Sequence, residues 1–327
     1  MICQPPYHEQ NFRFGRLSVK ILGWIHSCSL MTLKDCAMLP QNASTIIQNF
    51  YHSPEVWQLR RSTHDQYSVP AINYPAWVMK LAGLRGDERI LDVGTGPGLY
   101  YDAAKELWPN VDYVALDYSA GMLKLNGATQ RLRASVEQIP FPTGSFDVVM
   151  ANHMIYLAPD IPAALVEMRR VLTPNGVFIA ATSSLQSMPQ FRELFRRAIL
   201  LVSPPGSSRD VTVPSGMHQR FALENGTRQL AQYYRAVVRH DLPGKLIFPA
   251  VDPIMDYLES TRAVREPQLP PNIRWEQVMM IMREQLNNLV YSMGQLEVDK
   301  LSGVLIASDG GGFIQSFMEQ QRALKRK

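Results

Sequence analysis

The chain has 327 residues, 46% hydrophobic and 19% charged, with a net charge of +4. That length supports one large domain with insertions or two modest ones, and so mild a basic balance is no footprint for nucleic acid. Cys3, Cys28 and Cys36 form no C-x-x-C pair, so they suggest neither a zinc site nor a disulfide framework, and a reducing cytoplasm is expected.

Residues 1–37 read as a loosely ordered extension. Val19 to Met31 is partly apolar, but Gly23, His26 and serines interrupt it, and it is too short to span a membrane. Basic residues precede it as in a signal peptide, yet its apolar core is poor and no clear small-residue cleavage site follows. Met31 and Met38 are both available as starts. Residues 38–84 are expected to form an N-terminal helical cap. Ser53-Pro54-Glu55 opens one helix, and Ala76 to Leu84 forms another that stops at Gly83 and Gly86.

The predicted core covers residues 85–182. Ile90 to Val93 is an apolar run of buried-strand type, Tyr100 to Leu107 reads as a helix, and a turn with Gly94, Thr95, Gly96 and Gly98 joins them. Glycines there allow left-handed backbone and close approach of a ligand, while the helix's free N–H groups face the same crevice. The spacing is not that of a dinucleotide fingerprint, whose third glycine is replaced by Leu99. Asp92 at the strand end would repel a pyrophosphate and suits an ammonium or sulfonium ligand. Both features disfavour an NAD-dependent oxidoreductase. Asp-x-Gly-x-Gly-x-Gly resembles the first motif of the class I S-adenosylmethionine-dependent methyltransferases. That resemblance gives Tyr67, in the helix upstream of the sheet, two open readings: contact with the cofactor's amino-acid end, or packing alone.

A second strand, Tyr113 to Leu116, ends in Asp117. An acid about 20 residues beyond the glycine turn is placed to accept both hydroxyls of a ribose diol. Capping the following helix is the other reading of Asp117. With Asp117 on the ribose, Tyr118 and Met122 would wall the adenine. Further on, Pro140-Phe141-Pro142 and Gly144-Ser145-Phe146-Asp147 lead into strand four, Phe146 to Met150. This pattern closely resembles the ubiquinone/menaquinone-type branch of the family. The family commonly carries an aspartate on the adenine amino group where Ser135 stands here, so the resemblance implies reading by the Ser135 hydroxyl, the Val136 backbone or water. It also implies that Asn152 meets the cofactor's amino group through its backbone carbonyl, and that His153 faces the acceptor. For His153, general base and local packing are both open.

Asp160 and Pro162 start a helix through Leu172, and Thr173-Pro174-Asn175-Gly176 turns it into strand five, Val177 to Ala181. Residues 183–327 are expected to supply lid helices and the last strands. Ser187 to Gln190 reads as a capping box, and a helix is expected from Asn225 to Tyr234. Ala236 to Val238 is read as strand six, with a separate short strand from Lys245 to Phe248. Helices are predicted over Pro253 to Ser260 and along a Trp275–Met293 stripe, before a last strand at Gly303 to Ala307.

The expected fold is α/β: a Rossmann-like, doubly wound, mostly parallel seven-stranded sheet with helical lid insertions after strands five and six. The resemblance implies methyl transfer from S-adenosylmethionine, and the apolar content of the insertions suggests a small, apolar or aromatic acceptor; no metal, nucleic acid or transmembrane segment is expected. The sequence leaves the acceptor, the atom methylated and the oligomeric state open. A catalytically silent cofactor-binding protein with the same fold is the alternative.

Overall fold

Ile90 to Val93 is the centre of the molecule, as its uninterrupted apolar character demands. In this computed structural model, residues 54–204 and 212–310 are described, with isolated helical positions 315, 319 and 322. The predicted extension 1–37, the cap up to residue 53 and loop residues 205–211 lie outside the described residues. All described elements belong to one compact unit, Ala37–Lys327.

The strands are β1 (Ser68–Val69), β2 (Arg89–Val93), β3 (Asp112–Asp117), β4 (Gln130–Arg133), β5 (Phe146–Met150), β6 (Leu172–Ser183), β7 (Ala236–Phe248) and β8 (Leu296–Ser308). They form one 8-stranded sheet in the order β1-β7-β8-β6-β5-β2-β3-β4. β2 pairs in parallel with both β3 and β5, so strand order reverses between β2 and β5. A crevice opens at the carboxyl ends of strands at such a switch point.

Alternation along the strands feeds two faces. Leu91, Val93, Leu305 and Ala307 pack on one side under α5 (Ile161–Val171) and α7 (Leu223–Leu230). Ile90, Val304 and Ile306 pack on the other, with α2 (Tyr74–Leu81) and α3 (Leu99–Leu107). α5 starts as predicted, with the Asp160 carboxylate accepting from the Ala163 N–H at 3.0 Å.

The lid has its own core. β7 and β8 pair continuously from Ala236↔Ser308 to Phe248↔Leu296, whereas β6 covers β8 only over 302–307. The remainder extends beyond β6 as a β7–β8 ribbon, joined at its outer edge by β1. On it Leu246, Phe248, Leu296 and Val298 pack beneath α6 (Pro189–Val202), α8 (Val251–Glu259) and α10 (Trp275–Met293). The insertions thus follow the fifth and sixth strands of the core.

Several local expectations need correction. The sheet has eight strands because β1 is added to the outer edge of β7. The predicted break at Pro243-Gly244 is absent, for β7 runs straight through it. Proline is tolerated there because β1 begins pairing only at Lys245, which leaves Pro243 on an edge. Gly244 admits β1: a Cβ would stand 2.9 Å from the Val69 carbonyl oxygen. The turn at 173–176 lies inside β6 as an irregularity, between the Leu172 and Val177 pairings. Ser187 does not cap α6. Its hydroxyl accepts from the Leu301 N–H at 3.2 Å, and Gln190 bonds Asp299 on β8. α7 begins and ends earlier than the predicted 225–234. Among the described residues no helix is long and apolar enough to cross a membrane.

Candidate active site

The glycine turn closes over the end of β3. Gly94 and Thr95 donate their N–H groups to the Leu116 carbonyl at 2.8 and 3.1 Å. Gly94 has φ +65°, and a Cβ on it would lie 2.7 Å from the Met154 side chain, so neither backbone nor space admits another residue. Gly96, at φ +55°, has no atom within 4 Å of where its Cβ would be: it faces an open cavity. Asn126 braces the turn from behind. Its Nδ2 donates to Thr95 Oγ1 and to the Gly96 carbonyl, both at 3.0 Å. Gly98 lets the turn approach this brace, with Asn126 Cγ 3.1 Å from the place of a Cβ.

Two carboxylates flank the turn. Asp92 is buried and accepts from the Tyr113 hydroxyl at 2.7 Å. Burial pushes its carboxyl up to about 7, with the Asp117 charge adding to the rise while the Tyr113 and Thr95 hydrogen bonds oppose it. Asp117 accepts from the Gly96 N–H at 2.8 Å and from the Ser119 N–H at 2.7 Å. Burial raises its carboxyl too, outweighing these backbone bonds. The cap of α4 (Ala120–Leu125), the other reading of Asp117, belongs to Ser119, whose hydroxyl accepts from Met122 N at 3.3 Å.

Ser135, Val136, Met122 and Tyr118 line the cavity beside Asp117. The Ser135 hydroxyl accepts from Glu137 N at 3.3 Å, and Tyr118 is exposed with the Arg133 guanidinium 5.7 Å from its ring centre. The Pro-Phe-Pro segment is clamped by Arg170, which donates to the Ile139 and Phe141 carbonyls at 2.8 Å. Asn152 is buried, its Oδ1 accepting from Ala181 N at 2.8 Å, and its Nδ2 has no hydrogen-bond partner among the described residues. The Tyr100 hydroxyl is likewise buried and unpartnered, and both residues line the cavity. Tyr67 is not brought to this place: its ring packs 4.9 Å from Phe248 in the lid core.

His153 takes a left-handed backbone at φ +56° and sets its ring 5.7 Å from Tyr74. Burial, then the charges of Lys300, Arg60 and His218, lower its pKa to about 4, so it is neutral near pH 7. The same cavity continues to residues of the lid, a part we call the lid chamber. That chamber is lined by Arg60 and His64 of α1 (Pro54–Tyr67), by Tyr257, by Arg265 and by Lys300. The whole space measures about 1510 Å³, more than the roughly 300–1,000 Å³ that one ligand usually occupies.

Sequence reasoning overlooked Asn126, Tyr100 and the cations of the lid chamber. Arg60 and His64 could have been found from their i,i+4 spacing on one helix face. Lys300 and Arg265 carry no local signal.

A family model for the methyltransferase domain matches residues 91–180. Over 101 residues the chain is 34% identical to a malonyl-[acyl-carrier protein] O-methyltransferase of Legionella pneumophila, covering 29% of this chain and 36% of that protein. Over 139 residues it is 31% identical to a ubiquinone/menaquinone biosynthesis C-methyltransferase of Citrifermentans bemidjiense, covering 39% of this chain and 59% of that one. The chain thus spans only part of the length of these relatives. A crystal structure from Anabaena variabilis, described as a methyltransferase from an antibiotic biosynthesis pathway, shares the fold. It superimposes with a TM-score of 0.51 at 17% identity, covering 73% of this chain and 98% of that one. By its glycine turn, its sheet order and the match over residues 91–180, the chain carries a methyltransferase domain, similar over part of its length to ubiquinone/menaquinone-type methyltransferases.

Proposed function

We propose that the protein transfers a methyl group from S-adenosylmethionine to a small-molecule acceptor. One observation carries this reading: a single cavity is lined both by the glycine turn with its carboxylates and by residues of the lid. The residues fit the cofactor. Asp117 keeps lone pairs for a ribose diol beyond the two it gives to Gly96 and Ser119. Asn152 Nδ2 and the Tyr100 hydroxyl are buried donors that still lack an acceptor. Ser135, Val136, Met122 and Tyr118 are proposed to frame the adenine, and Gly94, Thr95, Gly96 and Gly98 to follow the backbone of the ligand. Buried Asp92 favours a positive ligand once ionised.

The cofactor, when bound, supplies an activated methyl group. The chain's own contribution is alignment and exclusion of water. His153, neutral near pH 7 and lining the cavity, is assigned a hydrogen-bonding role toward the acceptor. Tyr74, Phe191 and Tyr257 give the acceptor chamber aromatic surfaces, which suits an acceptor with an apolar or aromatic body. A cytoplasmic place of action belongs to the same proposal.

Titration calorimetry with S-adenosylmethionine, S-adenosylhomocysteine and NAD tests the reading. We expect both adenosyl ligands to bind and NAD not to. Binding of NAD alone would overturn the assignment. Binding of the adenosyl ligands without methylation of any acceptor in a broad screen would favour a catalytically silent binding protein.

A further inference from the structure

An amide holds the glycine turn from behind. Asn126 is buried at the end of α4, where the Arg131 guanidinium donates to its backbone carbonyl at 2.8 Å and to that of Leu123 at 3.2 Å. Its partners fix the orientation of its side chain. Oδ1 accepts from the Ala128 N–H at 2.9 Å, and Nδ2 faces the Gly96 carbonyl, which can only accept. The second Nδ2 proton goes to Thr95 Oγ1, 3.0 Å away. A hydroxyl that accepts from this side has its own proton to give in another direction.

That direction is Asp92. Side-chain hydrogen bonds from Thr95 reach both the Asp92 carboxyl and the Tyr113 hydroxyl, and Tyr113 itself donates to Asp92 at 2.7 Å. The protons of Asn126, Thr95 and Tyr113 thus run one way and end on the carboxyl. Such a chain favours the ionised acid, because donors stabilise a carboxylate more than a neutral carboxyl. Burial and the Asp117 charge push the other way, and Tyr100 of α3 also faces Asp92. The balance lies near neutral pH, where the loss of one donor moves it. The second carboxylate is tied in as well. Gly96, whose carbonyl Asn126 holds, gives its N–H to Asp117 at 2.8 Å.

We propose that Asn126 is a positioning residue for the cofactor: from behind the turn, its amide sets the direction of the Asn126–Thr95–Asp92 chain and so keeps the Asp92 carboxylate charged for a cationic ligand. The inference rests on the methyltransferase reading, since it takes that ligand to be an adenosyl cofactor with an ammonium group.

Titration calorimetry of the full chain with S-adenosylhomocysteine at pH 6 and pH 8.5 tests it. At pH 6, Asn126→Ala and Thr95→Val should each bind about tenfold more weakly than the unaltered chain, the scale of one hydrogen bond to a charged group. At pH 8.5, where Asp92 ionises in every variant, the difference should shrink to within about threefold. Thr95→Ser keeps the hydroxyl, so its affinity relative to the unaltered chain should be the same at both pH values. The two residues act in series, so the double variant Asn126→Ala/Thr95→Val should lose no more than about threefold beyond the weaker-binding single variant. A brace that only holds the backbone gives a different result: equal losses at both pH values, or losses that multiply in the double variant. Either result, or unchanged affinity in Asn126→Ala, overturns the inference and leaves the methyltransferase reading standing. Melting curves identify a variant that fails to fold. Should Asn126→Ala do so, Asn126→Asp takes its place: it keeps the shape and the acceptor for Ala128 but draws the Thr95 proton away from Asp92. Its loss at pH 6 should be at least as large and should again exceed that at pH 8.5, and equal losses overturn the inference. If S-adenosylhomocysteine fails to bind the unaltered chain, the methyltransferase reading falls and the inference with it.

Discussion

The two walls of the cavity are opposite in charge and in construction. The sheet wall presents Asp92 and Asp117 with the N–H groups of the glycine turn, all fixed by hydrogen bonds within β2, β3 and the turn between them. The lid wall presents Arg60, Arg265, Lys300 and three histidines, gathered from five separate segments. An acidic, rigid wall favours a cationic ligand, and a basic wall an anionic one. The walls also rest on different cores, and that is where the comparison is easiest to break.

The largest effect is expected at Trp275. It is almost fully buried in the lid core, 5.9 Å from Phe195, and its indole N–H donates to Glu259 at 2.8 Å. Trp275→Ala should cost about 3–5 kcal/mol of stability in denaturant melts. The sheet wall does not lean on this core, so affinity for S-adenosylhomocysteine below the transition should stay within a few fold. Equal loss of both would show that the walls are one unit.

Acid sets the walls against each other. Burial and positive neighbours hold His64 near 3, and His153 and His218 near 4, against 6.5 for a free imidazole. Below about pH 6.5 the unfolded chain therefore takes up protons that the folded chain refuses, and this contribution falls as pH drops toward 4. His240, also lowered by burial, acts in the same direction. Asp92, raised to about 7, and Asp117, also raised, act oppositely: on acidification the folded chain gains protons that the unfolded chain still releases. The histidines outnumber the carboxylates, so stability should fall between pH 7 and pH 5 by on the order of 2 kcal/mol. Melting temperature across that range checks this. A rise on acidification would mean that the sheet wall dominates.

Next in size is Asp117→Ala. Hydrogen bonds to a charged group are worth about 1.5–3 kcal/mol, so S-adenosylmethionine should bind roughly ten- to a hundredfold more weakly by calorimetry. Part of that loss comes through the Gly96 N–H, which Asp117 orients at 2.8 Å. An unchanged affinity would remove Asp117 from the cofactor site.

The sheet wall was largely legible because it is local. Strand, glycine turn and helix stand in one run from Ile90 to Leu107, and Asp117 ends the very next strand. Its brace was not legible: Asn126 lies beyond the strand pattern, and an asparagine before glycine reads only as a turn. The lid wall could not be read, since Arg60 and Lys300 meet only through a ribbon whose length was hidden by Pro243-Gly244. Tyr67 shows the limit of periodicity from the other side. It is on the expected helix, but the turn of that helix gives its ring to Phe248 and leaves His64 facing the cavity.

The smallest expected effect concerns His153, and it decides what kind of group joins the walls. The residue follows β5 with a left-handed backbone, its N–H bonded to the Ala181 carbonyl at 2.8 Å. An imidazole held near 4 is always in its basic form at neutral pH, yet it is a weak base with little drive to accept a proton. Positioning by hydrogen bond is what such a group does well. His153→Asn is the suitable change, because asparagine tolerates left-handed backbone and keeps a polar tip. Turnover with an accepted methyl acceptor should fall by less than about tenfold, and its pH profile between 6 and 8 should keep its shape. A fall of about a hundredfold or more, with an inflection near neutral pH that the substitution abolishes, would make His153 a general base. That result would also require the bound acceptor to lift its pKa by several units, as an anion beside Arg60 and Lys300 would do by cancelling their charge.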